Sequence, residues 1–448
     1  MNLDRCGDSR MSSFLLANAK EVWQAQRIAT AVLKLDAWLQ SMRSEYGFTG
    51  PIAHWWESSL VFCGPMIDWR YEGILSGYVT LFENTENSLW MERARQAAED
   101  IVLGQLPDGN FFNSSFQYGA MEGGTPHEAS VDIGLLEFAK LLRQNGDQTW
   151  RRYFDVAECN INAYLLGSLW NGKGFQEQPW DATLVPNKNA TTLEALVLYQ
   201  ELADRDMSAY IEQSLQVILS AQEHFGVRAG ATVHTGTGKH RLAIGIYTAR
   251  CVCALLRLFD LDPRPILLKV ISDGLTFLNR LLARSGTFFG YYGNGIRIAN
   301  PRWIAPSGDL LRAALLASPH GLTPAGMIES LLHLLLEHQY ASGGMPTAYG
   351  FAERGASRPY QGLPEFRDVL PVVGWCDKAF RALALLDLDF EGDVTLDVPE
   401  ESRIRCVWKG QPCLFFEKSE SMQLVRERGN DIIYEWRKGT SYPSIYRL

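Results

Sequence analysis

A repeating grammar limits what this chain can fold into. An amphipathic helical stretch is followed by a long glycine-rich loop and then by a more apolar helical stretch, six times over. The clearest copy is Gly123–Leu142, GGTPHEASVDIGLLEFAKLL. Its loop ends in Thr-Pro-His-Glu, and Pro126 suits a first helical turn. Ile133, Leu136 and the stretch Ala139–Leu142 carry helical apolar spacing. Glu128 and Asp132 are four apart, which puts both carboxylates on one helix face near its positive N-terminal end.

The more charged, first-of-pair stretches are QRIATAVLKLDAWLQSMRS, LWMERARQAAEDIVLGQ, QTWRRYFDVAECNINAYLL, MSAYIEQSLQVILSAQ, PRPILLKVISDGLTFLNRLLA and TPAGMIESLLHLLLEHQ. The second stretches open near Trp69, Glu128, Ala190, Leu242, Gly308 and Val372 and are richer in apolar and small residues, as expected of helices buried on most sides. About twelve helices in six pairs result, with a period of roughly 50–65 residues, longer than the usual solenoid repeats. If the pairs close into a ring, every long aromatic-rich loop gathers at one end, around the N-termini of the inner helices. Loops gathered on a rigid scaffold usually carry function. After about Asp387 the pattern changes to alternating strands (RIRCVWKG, QPCLFFEKSE, MQLVRERG, DIIYEWRKG) with turn pairs at Lys409-Gly410 and Gly429-Asn430. The reading is therefore a mainly α chain: a toroid over residues 1–388 and a small antiparallel β appendage over 389–448.

A net charge of −9 argues against a nucleic-acid partner, which would need a basic face. The eight cysteines are scattered without a C-x-x-C pair and read as reduced, mostly buried thiols. The N-terminal stretch lacks a signal peptide's apolar core and no run is long enough to span a membrane, so a soluble cytoplasmic protein is expected. No phosphate loop, H-E-x-x-H or spaced His/Cys set occurs, so neither a metal nor another cofactor is called for. Oligomeric state is not legible.

Six outer–inner hairpins with phrases such as LPDGNFFN and GGTPHEAS, followed by a short β tail, resemble the (α/α)6 toroid of the six-hairpin glycosidase-like proteins over roughly Val22 to Leu386. The resemblance implies action on a small-molecule or oligosaccharide substrate, first of all by metal-independent hydrolysis of a glycosidic bond with acid and base carboxylates in the toroid funnel, with epimerisation or elimination as alternatives. Neighbouring toroids fit less well. Trp375-Cys376 resembles a lanthionine-cyclase phrase, but no Cys-His pair follows, and the D-x-D-D and D-D-x-x-D strings of terpenoid cyclases are missing.

Glycoside cleavage needs one acid to protonate the leaving oxygen and a carboxylate to activate water or attack carbon. The acid pool read from the loops is Asp68, Glu128, Asp132 and Asp181. Asp68 could equally be a helix cap, and Glu128 could serve only the helix dipole. Asp132 stands out because a helix pointing into a toroid should not carry an unpartnered acid. Trp69, Arg70 and Glu72 share the first cluster and His127 the second. Asn187 and Lys188 suit sugar hydroxyls or a carboxylate, although turn formation would also explain them. The fourth loop offers His234, Lys239 and His240; two histidines could carry protons in an epimerase. The fifth offers Tyr291, Tyr292, Arg297, Arg302, Trp303 and Asp309, and the sixth Arg367, Asp368, Trp375 and Asp377. The chosen binding wall is Trp69, Arg70, Glu72, His127, Asn187 and Lys188, continued by His240, Arg302, Trp303, Asp368, Trp375 and Asp377. A terpenoid- or polyketide-type cyclase and a non-catalytic scaffold, with its acids tied up by Arg70, Arg302 or Arg367, remain as rivals.

Overall fold

The computed structural model describes residues 19–44, 47–48, 50–52, 61–63, 66–112, 114, 124–340, 343–351, 366–368, 371–388 and 390, and the backbone of five strands between 403 and 447. Among the described residues twelve α-helices form in the expected order: α1 (Ala19–Ser41), α2 (Arg70–Thr85), α3 (Ser88–Leu103), α4 (Ala129–Gln144), α5 (Trp150–Cys159), α6 (Pro186–Ala203), α7 (Ser208–Ser220), α8 (Gly245–Leu261), α9 (Pro265–Asn279), α10 (Ser307–Ala317), α11 (Met327–His338) and α12 (Val373–Ala384). The even-numbered helices pack α2 on α4, α4 on α6, α6 on α8, α8 on α10, α10 on α12 and α12 back on α2, a closed inner ring. Each odd-numbered helix packs outside the inner helix before it, with α1 against α12. This is an (α/α)6 toroid, and its outer-to-inner connections are the long ones.

Two local differences from the sequence reading have simple causes. Helix α6 begins at Pro186, not near Ala190, because proline is preorganised for the first turn; Asn187 and Lys188 are therefore helical. Helix α5 runs on as a π-helix over Asn160–Leu169. The long loops also pair with one another. Ala243–Ile244, Thr287–Tyr291, Arg297–Trp303 and Ala348–Tyr349 make a four-stranded antiparallel sheet from three different connections. The strands Arg403–Trp408, Gln411–Lys418, Ser421–Arg426, Ile432–Arg437 and Ser444–Arg447 form a five-stranded antiparallel meander in chain order.

Glycine sets the spacing of the inner ring. A Cβ on Gly73 of α2 would lie 2.4 Å from Asp377 Oδ2 and 2.5 Å from Asp377 O on α12. One on Gly308 of α10 would lie 2.4 Å from Ala379 N. Gly308→Ala is therefore expected to destabilise the fold by about 1–3 kcal/mol in urea titration, as overpacking does. An unchanged midpoint would mean that α10 and α12 do not meet this closely. The cysteines fit their expected state where the side chains are described: Cys159, Cys251, Cys253 and Cys376 are free thiols, and burial pushes Cys251 and Cys376 up to about 12. Cys6, Cys63, Cys406 and Cys413 lie outside the described side chains.

Down the axis, all six inner helices contribute to one buried ionic network. The acids come from one half of the ring: Glu72 on α2, Glu137 on α4 and Glu194 on α6. The guanidinium groups come from the other: Arg250 and Arg257 on α8, Arg312 on α10 and Arg381 on α12. Arg312 Nη2 lies 2.5 Å from Glu194 Oε1, and Arg250 Nη2 lies 3.4 Å from Glu194 Oε2. Arg250 and Arg381 both pair with Glu72, and Arg257 pairs with Glu137. The axis is therefore a plug of paired charge, closed below the loop end.

Candidate active site

Above the plug, the first turns of the inner helices bring a set of polar and aromatic side chains together. On α12, Lys378 is the hub. Its Nζ donates to Asp377 Oδ2 at 2.6 Å and to the Trp69 carbonyl at 3.0 Å, and lies 5.1 Å from the Trp69 ring centroid. Glu72 Oε2 is 3.9 Å away. Burial pushes the Asp377 carboxyl up to about 7 despite this lysine. Asp68, 1% exposed, accepts the Arg70 backbone N–H at 3.1 Å and lies 2.8 Å from Arg70 Nε, while its Oδ2 has no hydrogen-bond partner. Burial raises its carboxyl; Arg70 and, less strongly, Lys378 oppose the rise.

Asp309, in the first turn of α10, is only half-buried. It has no ion-pair partner among the described residues. Desolvation raises its carboxyl, and Lys378 and Arg250 pull against it. Trp69 faces His127 with ring centroids 6.0 Å apart and planes 11° from parallel, and Trp375 meets Trp69 edge-on at 4.7 Å. Burial keeps His127 neutral, helped by the positive charges of Arg250, Lys188 and Lys378. Across the mouth, Lys188 on α6 pairs with Glu177, and His234 rests on Tyr247 at 5.2 Å between centroids. Burial again lowers His234, and Lys188 adds to the effect. The arrangement offers acids and neutral imidazoles for proton transfer beside aromatic faces and fixed cations.

The structure redistributes the residues chosen from sequence. Asp68, Trp69, His127, Lys188, Trp375 and Asp377 meet at the mouth. Arg70 is committed to Asp68 and to the Phe48 carbonyl, and Glu72 to the plug. Asn187 is buried in the first turn of α6 with an unpartnered Oδ1. Glu128 and Asp132 leave the acid pool. Five residues along a helix turn it by about 140° from Asp132 to Glu137, and Glu137 is the side chain that reaches the axis. Glu128 instead bonds Asn160 on the outer π-helix and Ser114. Asp181 leaves it as well: its carboxylate accepts its own turn's Thr183 N–H at 3.0 Å, and the hydrogen bonds from Thr183 hold it below the ordinary carboxylate value. His240 is exposed on the short turn Gly238–His240, so His234 takes its place. Arg302 bonds Ser285 and covers the Phe288 ring. Trp303 is fully buried behind Trp375, as floor and not wall. Asp368 holds the Phe351 N–H at 2.8 Å.

Asp309, Lys378, Arg250, Tyr247 and Glu177 were outside the set chosen from sequence. A signal existed for some of them: Arg250 is a lone charge within the apolar run YTARCVCALL, Asp309 sits in the first turn of α10, and Lys378 sits in the second turn of α12. Among the described residues no group of three or more His, Cys, Asp or Glu side chains gathers as a metal centre, and no helix is long and apolar enough to cross a membrane.

No known protein-family profile matches the chain, and no curated protein does. Solved structures do. An unsaturated glucuronyl hydrolase specific for heparin superposes with a TM-score of 0.55 at 11% identity, over 82% of this chain and 97% of that one. Cellobiose 2-epimerase from Spirochaeta thermophila gives 0.57 at 12%, over 80% and 97%. A polysaccharide lyase gives 0.54 at 11%, over 80% and 95%. At such identities the likeness is one of architecture: the chain has the (α/α)6 toroid fold shared by these six-hairpin proteins.

Proposed function

We propose that this protein is a carbohydrate-active enzyme that hydrolyses a glycosidic bond by acid–base catalysis at the mouth of its inner ring. The observation that carries the reading is Asp309: a half-buried acid with no ion-pair partner among the described residues, close enough to Lys378 and Asp377 to act on their charges. Two carboxyl groups in unlike surroundings divide the acid and base roles. Asp309, raised and unpaired, protonates the leaving oxygen. Asp68, held against Arg70 with one oxygen free, activates the attacking group. Trp69 offers a face for the sugar ring, with the buried Trp375 packed edge-on against it. Solved toroids of this fold named as a glucuronyl hydrolase, an epimerase and a lyase support a saccharide as substrate.

A second reading rests on a separate observation. His127 and His234 are both kept neutral, and Lys188 acts on both. Such a pair suits proton removal and return at carbon, as an epimerase requires. One experiment separates the two. The protein is incubated with an oligosaccharide panel in ¹⁸O-water and, separately, in deuterium oxide, and products are read by mass spectrometry. Hydrolysis is expected to split the substrate and place one ¹⁸O in a product. Carbon-bound deuterium without cleavage would transfer the assignment to the histidines, and no label in either solvent would remove both readings.

A further inference from the structure

The acids that leave the active site raise their own question. Glu128, at the end of the short turn Pro126–Glu128 that leads into α4, bonds Asn160 on the outer π-helix, which packs on α4, and Asp132 lies one helical turn further on, close enough to feel the Glu128 charge. Both Asp132 oxygens are buried without a hydrogen-bond partner, and Asn160 Oδ1 is buried and unpartnered as well. Asn160 Nδ2 meanwhile donates to Glu128 Oε2 at 2.9 Å and to the Gly109 carbonyl at 2.8 Å. Ser114 donates to Glu128 Oε1. Gly124 makes room for this carboxylate, since a Cβ there would lie 1.8 Å from Glu128 Oε1. Neither acid has an ion-pair partner among the described residues. The charges acting on these two acids are all acidic: Glu128 on Asp132, and exposed Asp108 on Glu128.

Native proteins rarely leave buried oxygens unsatisfied, and buried charges are paired or coordinate metals. We propose that Glu128, Asp132 and the Asn160 amide oxygen bind one divalent cation, best Ca²⁺, in the wall of the toroid between α4 and the outer π-helix. Two carboxylates balance its charge. An all-oxygen set of carboxylate and amide groups suits calcium's flexible shell better than magnesium's strict octahedron. The cation ties the start of α4 to the outer π-helix. This role is independent of the chemistry assigned to the mouth.

The test is calorimetric titration of EGTA-stripped full-length protein with CaCl₂ alone, at pH 6 and pH 8, beside MgCl₂. One Ca²⁺ per chain is expected, with affinity at least about tenfold higher at pH 8 because the ligands must deprotonate, weaker Mg²⁺ binding, and a raised melting temperature. Asp132→Asn is expected to abolish the heat and the thermal shift. Lack of binding by the wild type overturns the site, and so does undiminished binding by Asp132→Asn. Should that variant not fold, the wild-type pH ratio decides: equal affinity at the two pH values excludes these carboxyls as ligands.

Discussion

Glu194→Gln is expected to cost about 3–5 kcal/mol of stability in urea titration, the usual penalty for removing one partner of a buried ion pair. The substitution preserves shape and removes only charge. Arg312, 4% exposed, and Arg250, 7% exposed, would then face each other across the axis with one carboxylate fewer to satisfy them. The loss comes from orphaned guanidinium groups, not from lost attraction alone. The paired change Glu194→Leu with Arg312→Leu should therefore recover much of it, since apolar replacements of both partners are often neutral. The pH dependence has a definite sign. The surrounding arginines overcome burial and hold Glu194 down at about 2 in the folded chain, against roughly 4.3 when unfolded. A depressed acid contributes stability that is fully present above the unfolded value and is lost as pH falls from there toward about 2. Glu72 and Glu137 are lowered in the same direction by the same arginines. The wild type should thus weaken steeply below about pH 4.3, and Glu194→Gln should weaken less over that interval. A cost under about 1 kcal/mol would show the network to be nearly neutral, as exposed ion pairs are.

That network also explains what could be read from the sequence. The fold was legible because it is written in periodicity: six charged helices alternate with six apolar ones, and α2, α4, α8, α10 and α12 open within a few residues of their expected starts. The lone charges within the apolar inner helices (Glu137 in LLEFAKLL, Glu194 in TTLEALVL, Arg312 in LLRAALL) were visible too, and each is an axial residue. Spacing does not show the rotation of a helix about its own axis. Glu128 and Asp132 sit at an attractive place in the chain, yet point into the outer wall, because Glu137 fixes the phase of α4 and an α-helix allows only one phase. The same limit explains Asp309. It lies in the first turn of α10 and not in the aromatic loop before it, and only the closed ring shows that this turn comes near Lys378. Histidine choice failed for a different reason. His234 and His240 share one loop, and the strand at Ala243–Ile244 decides which of them is carried to Tyr247.

The largest functional effect is expected from Asp309→Asn. With the oligosaccharide returned by the labelled-water screen, kcat should fall about 10²–10⁴-fold, the usual contribution of a positioned general acid, while substrate binding stays within a few fold. The amide keeps the size of the carboxyl and its capacity to bond a hydroxyl; what disappears is the transferable proton. Because Asp309 acts in its protonated form, and burial raises it against the pull of Lys378 and Arg250, wild-type kcat/KM should decline as pH rises through its pKa. The residual rate of the variant should lack that decline. Melting temperature separates this loss from unfolding: a neutral amide removes the cost of burying charge and should leave stability unchanged or slightly higher. Asp181→Asn is the matched control. Its carboxylate serves a solvated turn, so turnover should stay within about twofold. If Asp181→Asn removed turnover and Asp309→Asn did not, the acid would belong to the outer hairpin and the proposed mouth would be only a binding wall. If both variants kept full turnover with the deuterium label still entering at carbon, proton transfer would belong to His127 and His234, and His234→Gln would become the decisive substitution.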